Sequence, residues 1–414
     1  MIAVFAILAL FISTIAGPGS PVDHSGKSEP VPGPTTIADH SPIGADTAGG
    51  AHVATGRCHR SRRGGRRCRR HPRPGIWLQA LGGRLPRFGH RRLYSYIALS
   101  LEDRAAGSRL PGTSLLYTAG MDVNPDWNNG VTYADAQANG WLLEDSNGNR
   151  LTGPGYLADV GNVAYQKAWV KGALSLVKPY PGLDGVIIDN VMVDPRIHYP
   201  GMPAKYPTVS AWKAAIASFI AYVGPALRSH RLYVAVNASG FSEDDAGADD
   251  GSADAAWARQ LAPYVKGVMN EFFEQNPTNL DLRSEGSAWY QHYGSWLGLI
   301  DAVQGAGDDF VSLNYSTRKD RHVARYCKAS FLLGWNGKGG GQSYLPNDGS
   351  DPWGASWTAD IGRPRGRRFK IGALWVRRFT RGKVIVNPTL TSRTVTVDGA
   401  RRRIGATDAL IQAR

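Results

Sequence analysis

Two acidic residues stand at the ends of short apolar runs that predict barrel strands. Asp189 ends the run Leu183–Asp189 (LDGVIID), and Asn190 follows at once; Glu271 lies in Gly267–Phe272 (GVMNEF). Short, continuous apolar runs are typical of strands buried on both faces, as parallel strands are. In α/β barrels the functional residues gather at the carboxyl ends of the strands. We therefore predict that Asp189 and Glu271 face one pocket.

Two carboxyl groups that differ in protonation are what hydrolysis of a glycosidic bond requires. We predict that Asp189 is the nucleophile and Glu271 the general acid/base. That assignment gives retention, with carboxyl groups about 5–5.5 Å apart, whereas about 6.5–9.5 Å would give inversion. The strand context leaves structural alternatives open, in which Asp189 caps a loop and Glu271 forms a salt bridge. Glu274 is a substitute candidate for Glu271.

Polar or aromatic residues also end the other predicted strands, and we predict that they bind substrate. They are Asp122, Asp159, Asn237, Asn314, Tyr315 and Trp335. Two of them have structural alternatives. Asp159, before Gly161 and Asn162, could cap the next helix, and Asp122, before Asn124, could form a turn. Asp184 begins its strand and is expected to be structural.

Other chemistries lack their motifs. The sequence has no GxxxxGK[ST], HExxH or GxSxG pattern, and its ten histidines are scattered. We expect no metal and no cofactor. Twelve Trp and seventeen Tyr supply surfaces on which sugar rings can stack.

Alternating strand and helix patterns predict a parallel sheet. Helical spacing is predicted over 162–178, 208–229, 253–261, 286–303 and 318–327. The predicted strands are 94–99, 114–121, a third ending near Asp159, 183–189, 232–237, 267–272, 310–314 and 329–335. Eight strands within about 250 residues predict a (β/α)8 TIM barrel, placed at residues 93–345.

A different pattern follows the glycine-rich loop Gly337–Gly341. Three segments alternate apolar and polar residues, at 373–379, 383–387 and 393–398, and predict a small C-terminal antiparallel β domain over 346–414. The basic stretch Arg363–Lys370 is predicted to be a solvated loop.

The N-terminal part has little capacity to fold. Met1–Ala16 is an apolar block that predicts a signal peptide or an N-terminal anchor, and hence a secreted or cell-surface protein. Residues 17–92 are predicted to be a disordered linker with an Arg-rich segment. An alternative is that residues 51–92 are not native sequence but result from a gene-model error.

The net charge is +14, and nine arginines lie between Arg57 and Arg73. Residues 57–73 could contact a cell-envelope polyanion, although a solvated disordered run is the favoured interpretation. We expect no specific nucleic-acid partner. Of the three cysteines, Cys58 and Cys68 could pair, whereas Cys327 fits a buried helical position.

Several segments together carry a family resemblance across roughly residues 94–390. They are Leu115-Leu116-Tyr117, Trp141-Leu142-Leu143, Asp145-Ser146-Asn147-Gly148-Asn149, Asp159-Val160-Gly161-Asn162-Val163-Ala164-Tyr165, Leu183–Asn190, Asn270-Glu271, Ala329–Leu333, Asp360-Ile361-Gly362 and Val386-Asn387-Pro388. In this order they resemble hypothetical glycosyl hydrolase family 15. Leu183–Asn190 is also similar to an element of polygalactosaminidase-like and α-galactosidase-like barrels. The resemblance implies a TIM barrel, a strand-four Asp as nucleophile and a later carboxylic acid as acid/base.

These observations predict a monomeric, secreted glycoside hydrolase that cleaves a poly- or oligosaccharide. The alternative is a non-catalytic carbohydrate-binding barrel at the cell surface, which would need the aromatic pocket but not paired acids. A third hypothesis is a basic nucleic-acid or envelope binder that uses residues 57–73.

Overall fold

The computed structural model describes residues 75–80, 95–109, 112–245, 251–271, 273, 282, 293–316, 320–346 and 359–414, which belong to one compact unit. The first ten strands are β1 (Gly75–Ala80), β2 (Tyr96–Leu99), β3 (Thr113–Ala119), β4 (Asp122–Val123), β5 (Tyr156–Leu157), β6 (Gly185–Met192), β7 (Tyr233–Ser239), β8 (Gly267–Glu271), β9 (Asp309–Ser316) and β10 (Gly341–Pro346). The helices are α1 (Tyr133–Ala138), α2 (Val163–Val177), α3 (Val209–Ser229), α4 (Ser252–Leu261), α5 (Tyr293–Gly305) and α6 (Arg321–Gly334).

All of these strands except β4 and β5 run parallel and form a closed barrel in the order β1-β10-β9-β8-β7-β6-β3-β2. The predicted parallel α/β barrel is confirmed as a fold class. An α-helix follows each of β6, β7, β8 and β9 before the next barrel strand. In the described part of the chain β2 is followed by a 3-10 turn (Arg104–Arg109) instead, so a strict eightfold repeat of strand and helix is not established.

Alternate residues of the strands fill the barrel interior. Its apolar layer consists of Ala98, Leu115, Ile187, Ala235, Met269, Val311 and Leu313. The intervening residues, such as Val186 and Ile188, join the larger core beneath the helices. Burial on both faces explains the continuous apolar runs of the sequence. Gly185 begins β6 where any Cβ would collide with the carbonyl oxygen of Tyr233, so the close approach of β6 and β7 requires glycine.

The N-terminal boundary of the barrel was predicted too late. Gly75–Ala80 forms β1, which pairs in parallel with both β10 and β2, although the sequence places it in the disordered segment 17–92. The predicted first strand is therefore the second barrel strand. The short apolar run of β1 is hidden between basic and glycine-rich stretches. The signal peptide and the basic run 57–73 lie outside the described residues.

The predicted third strand is wrong as a barrel strand. Tyr156–Leu157 pairs antiparallel with Asp122–Val123 in a separate two-stranded sheet, and β3 pairs directly with β6. Two-residue strands carry too little periodicity to reveal which sheet they join.

The predicted eighth strand is also wrong. Ala329–Trp335 is the end of α6, which begins after Asp320; the Asp320 side chain accepts from the amides of His322 and Val323. A buried helix end and a buried strand both read as a continuous apolar run. The last barrel strand is β10, which begins at the glycine-rich loop.

The C-terminal region is antiparallel, as predicted. Its strands are β11 (Pro364–Ile371), β12 (Leu374–Phe379), β13 (Gly382–Asn387), β14 (Arg393–Val397), β15 (Ala400–Ile404) and β16 (Asp408–Ala413). They form a sheet in the order β11-β12-β13-β16 and a hairpin of β14 and β15. The predicted basic loop at 363–370 is instead edge strand β11, whose register shifts between Arg365 and Phe369.

Arg377 attaches this sheet to the barrel. Its buried guanidinium donates through Nη1 to the carbonyl oxygens of Leu332, Leu333 and Trp335 at 3.2, 2.8 and 2.7 Å. These are carbonyls that the end of α6 leaves without helical partners. The Arg325 guanidinium adds an ion pair to Asp408 of β16 at 2.5 Å.

Two further observations concern single features. Cys327 is buried in α6, as expected. In the described ranges no helix combines the length and hydropathy needed to cross a bilayer.

We predict that Arg377→Ala lowers the free energy of unfolding by about 2–3 kcal/mol, because three carbonyls lose a charged donor. Denaturant unfolding measures the change. The neighbouring Arg378→Ala removes an exposed ion pair with Asp398 and should lower the free energy of unfolding by a clearly smaller amount. Equal effects of the two substitutions would contradict the role of Arg377.

Candidate active site

Five polar side chains meet at the carboxyl ends of β3, β6, β7, β8 and β9. Each lies two residues beyond a member of the apolar layer and therefore points into the same end of the barrel. They are Tyr117, Asp189, Asn237, Glu271 and Tyr315. The predicted pairing of Asp189 with Glu271 at one barrel end is observed, with both residues partly accessible to solvent.

Asp189 is held by donors on both sides. The Tyr117 hydroxyl donates to Oδ2, and the Asn237 amide donates to Oδ1 at 2.7 Å. Enclosure by the protein raises the pKa of Asp189, whereas these two bonds and the Asn190 amide stabilise the ionised form. The net shift of the Asp189 pKa is upward, and the hydrogen bonds to its carboxylate act against that shift.

The pKa of Glu271 is raised as well, and here a neighbouring charge contributes. Burial and the charge of Asp189 raise the pKa of Glu271 to about 8. Hydrogen bonds from Tyr315 and Asn237 stabilise the Glu271 anion and lower its pKa, but by less. The Tyr315 hydroxyl lies 3.1 Å from Oε1. At neutral pH Glu271 therefore holds its proton, and the charge of Asp189 is part of the cause.

A bulge in β6 shapes the site. The register with β7 shifts between Ile188 and Val191, and Asn190 adopts a left-handed conformation with φ of 60°. Asparagine tolerates this conformation better than most residues, and bulges often redirect side chains beside active sites. Asn190 thereby donates through Nδ2 to Asp122 at 2.7 Å, while Asp189 faces the barrel interior.

Asp122 is a third acid of the same cluster. It lies on β4, is buried, and accepts hydrogen bonds from Asn190 and from the Tyr199 hydroxyl. Burial raises the pKa of Asp122 to about 7. The hydrogen bond from Asn190 opposes this rise, and the charge of Asp189 adds to it. The structure thus places the predicted binding residue Asp122 beside Asp189.

Asp159 lies in a different polar network. Its carboxylate accepts from Lys205 Nζ at 2.6 Å, from the Tyr206 hydroxyl at 2.5 Å and from Asn162 Nδ2 at 3.3 Å. The predicted alternative, that Asp159 caps the next helix, is wrong, because Asn162 is the cap of α2. Substrate binding by Asp159 stays a prediction.

Two predicted binding residues do not reach the site. Asn314 is fully buried on β9, and alternation turns it away from the interior that Leu313 and Tyr315 face. Trp335 is the C-cap of α6, fully buried, and its indole donates to the Gly339 carbonyl at 3.1 Å. The error in Trp335 follows from the misassigned eighth strand.

Three further sequence predictions concern features outside the carboxyl cluster. Asp184 is structural, as expected, since its Oδ2 accepts from the Ser114 amide at 2.8 Å. Glu274 lies outside the described residues. No group of three or more potential metal ligands that could hold an ion occurs within the described ranges.

Sequence reasoning missed Tyr117, Asn190 and Tyr199. The first two carried a usable signal: Tyr117 lies at strand spacing from Leu115, and Asn190 directly follows Asp189. Tyr199 carried none, because its contact with Asp122 spans 77 residues.

The carboxyl cluster predicts a pH-dependent stability difference. Because the folded pKa of Glu271 lies above its unfolded value of 4.5, the stability associated with its protonated form is lost as pH rises through about 8. Glu271→Gln removes that loss. We expect its Tm to exceed that of the wild type by about 2 °C or more at pH 9, with a smaller difference at pH 5.

Thermal unfolding at both pH values tests this expectation. Glu102→Gln, at an exposed position outside the site, is the control and should show no such trend. A Glu271→Gln difference that is equal at pH 5 and pH 9 would show that Glu271 ionises in its usual range.

Comparisons with known proteins give distant structural likenesses. A maltogenic α-amylase of Thermotoga neapolitana is 12% identical, with a TM-score of 0.42, and the match covers 81% of this chain and 97% of the amylase. A cyclic α-maltosyl-(1→6)-maltose hydrolase of Arthrobacter globiformis is 13% identical, with a TM-score of 0.43, over 83% of this chain and all of the other. No curated protein matches the sequence significantly.

A family model matches the chain more extensively. The model of hypothetical glycosyl hydrolase family 15 matches residues 115–383, which is more than half of the sequence. The match begins in β3 and ends in β13, so it contains Tyr117, Asp189, Asn237, Glu271 and Tyr315. The chain therefore belongs to hypothetical glycosyl hydrolase family 15.

Proposed function

We propose that the protein is a secreted glycoside hydrolase that cleaves a poly- or oligosaccharide with retention of anomeric configuration. The observation that carries the proposal is the pair Asp189 and Glu271, which lie at one barrel end and are linked because the charge of Asp189 raises the pKa of Glu271. Membership of the glycosyl hydrolase family supports the same class of reaction.

In the first step, the Asp189 carboxylate attacks the anomeric carbon while Glu271 gives its proton to the leaving oxygen. The products are a glycosyl ester of Asp189 and a free alcohol end. In the second step, ionised Glu271 takes a proton from water, which displaces Asp189 and regenerates both groups.

The surrounding donors fit these steps. Asn237 bonds to Asp189 and stabilises the anion of Glu271, so its amide can follow the negative charge as it moves between the two acids. Tyr117 orients the Asp189 carboxylate. Asp122 and Asn190 present polar atoms to sugar hydroxyls, with Asp159 proposed as a more peripheral contact.

The alternative, a non-catalytic carbohydrate-binding barrel, would be favoured by site acids neutralised in salt bridges. Neither Asp189 nor Glu271 forms an ion pair with a cation of the described residues. The charge of Asp189 raises the pKa of Glu271 without a neutralising cation, which supports catalysis over simple binding.

Secretion is part of the proposal and depends on Met1–Ala16, which is apolar and followed by small residues. Mass spectrometry of the mature N-terminus in the culture medium tests it. Recovery of the protein with Met1 intact in the cytoplasmic fraction would refute secretion.

We predict an alkaline limb near pH 8 in kcat/KM, because Glu271 must be protonated to act as the acid. A polysaccharide array first identifies a cleaved substrate, and NMR of the first product gives its anomeric configuration.

Glu271→Gln should lower kcat about 10²–10⁴-fold and remove the alkaline limb, whereas Asp189→Asn should abolish turnover. Glu102→Gln is again the control.

An aryl glycoside of the same sugar separates the two roles, since its leaving group needs little protonation. With this substrate, azide should restore turnover to Glu271→Gln and give a glycosyl azide, whereas Asp189→Asn should remain inactive. An inverted product, or full activity of Asp189→Asn, would contradict the proposed roles.

A further inference from the structure

The charge of the chain is strongly segregated. Residues 359–414 contain fourteen Lys and Arg but three Asp, a net charge of +11, whereas residues 93–358 contain twenty Lys and Arg and twenty-seven acids. The barrel region is therefore acidic, and the C-terminal sheets are as basic as the N-terminal arginine run. Twelve of the fourteen cations are arginines.

The hairpin of β14 and β15 presents a polar outer face. Thr394 is paired with Arg403 and Thr396 with Arg401, and all four side chains are exposed. The alternate residues Val395 and Val397 are buried against the larger sheet. Two guanidinium groups thus lie beside two hydroxyl groups on one solvent-facing surface, about 7 Å apart along β15.

A second group of arginines lies along edge strand β11. Arg363, Arg365 and Arg367 are exposed, and none of them forms an ion pair with a described acid. Other arginines nearby are neutralised: Arg368 by Asp301 at 2.6 Å, and Arg381 by Asp360. The excess positive charge is therefore concentrated on β11 and β15.

Protection of sheet edges explains a few of these charges, because charged side chains on edge strands prevent edge-to-edge association. Edge protection does not require arginine in place of lysine, and it does not require the arginine–threonine pairs of the hairpin. Arginine differs from lysine in its planar guanidinium group, which has five N–H donors. Arginine forks bind carboxylate, sulfate and phosphate groups with two parallel hydrogen bonds.

We propose that the C-terminal sheets bind an anionic polysaccharide through Arg365 and Arg367 of β11 and Arg401 and Arg403 of β15. A nucleic acid is disfavoured because aromatic residues of the described sheets are covered rather than open to bases. Lys370 lies 4.7 Å from the ring centre of Trp375, and Arg378 lies 5.3 Å from that of Phe369. Membership of a glycosyl hydrolase family favours a carbohydrate ligand.

Binding by these sheets is independent of bond cleavage, so the test measures affinity alone. Calorimetric titration of the full chain uses polygalacturonate as a carboxylated probe and heparin as a sulfated one, with dextran as the neutral polymer and duplex DNA as the competing polyanion. We expect binding to at least one anionic polysaccharide, weakening with added salt, and no binding to dextran.

Matched double variants locate the surface. Arg401→Gln with Arg403→Gln, and separately Arg365→Gln with Arg367→Gln, should each weaken Kd about tenfold, which corresponds to about 1.4 kcal/mol. Lys167→Gln with Lys171→Gln removes two exposed cations from α2 and should change Kd less than about twofold. Arg401→Lys with Arg403→Lys keeps the charge and should fall between these values.

Three results would overturn the proposal. The first is equal weakening by the α2 control, which would mean that net charge alone acts. The second is full affinity in both arginine double variants, which would assign binding elsewhere, such as residues 57–73. The third is equal or tighter binding of duplex DNA through the same arginines.

Discussion

Two carboxyl groups enclosed at the same end of a barrel repel each other, and the candidate site is built around that repulsion. Ionisation of Asp189 is supported by Tyr117, Asn237 and the Asn190 amide. Its charge then opposes ionisation of Glu271, which burial already disfavours. The two acids thus have different hydrogen-bond donors, and this difference underlies the acid and nucleophile roles that we propose for them.

A further acid, Asp309, lies in the barrel away from the candidate site. At the opposite end, Asp309 accepts from the hydroxyls of Tyr96 and Tyr233 at 2.9 and 2.8 Å. Tyrosine also contacts each acid of the candidate site. The difference is that Asp309 lies beneath the apolar layer, away from Asp189 and Glu271. Asp309 and its two tyrosine donors thus lie at one end of the barrel, whereas Asp189 and Glu271 at the other end share the Asn237 amide.

Two features of the fold, the bulge in β6 and the buried Arg377, position different parts of the structure. The bulge at Asn190 ties Asp122 to β6 without disturbing the alternation that points Asp189 inward. Arg377 secures the C-terminal sheets to the end of α6, so that their charge is presented on a fixed scaffold.

The sequence was sufficient where a pattern was long or directly tied to chemistry. The runs that end at Asp189 and Glu271 predicted strands β6 and β8 and the shared barrel end, because alternation fixes which side chains face inward. Patterns failed where local periodicity was ambiguous: Ala329–Leu333 is helical, and β1 lies within a basic segment. Trp335 was therefore misplaced, and the Tyr199 contact depends on a long-range fold that no local pattern encodes.

The most direct test of this account is the protonation state of Glu271 in the folded protein. Infrared difference titration of wild type against Glu271→Gln isolates the protonated-carboxyl C=O band of this residue. We predict that the band persists at pH 7, disappears as pH rises through about 8, and is lost at lower pH in Asp189→Asn, where the opposing charge is absent. Disappearance of the band in the usual glutamate range, unaffected by Asp189→Asn, would contradict the coupled acid pair.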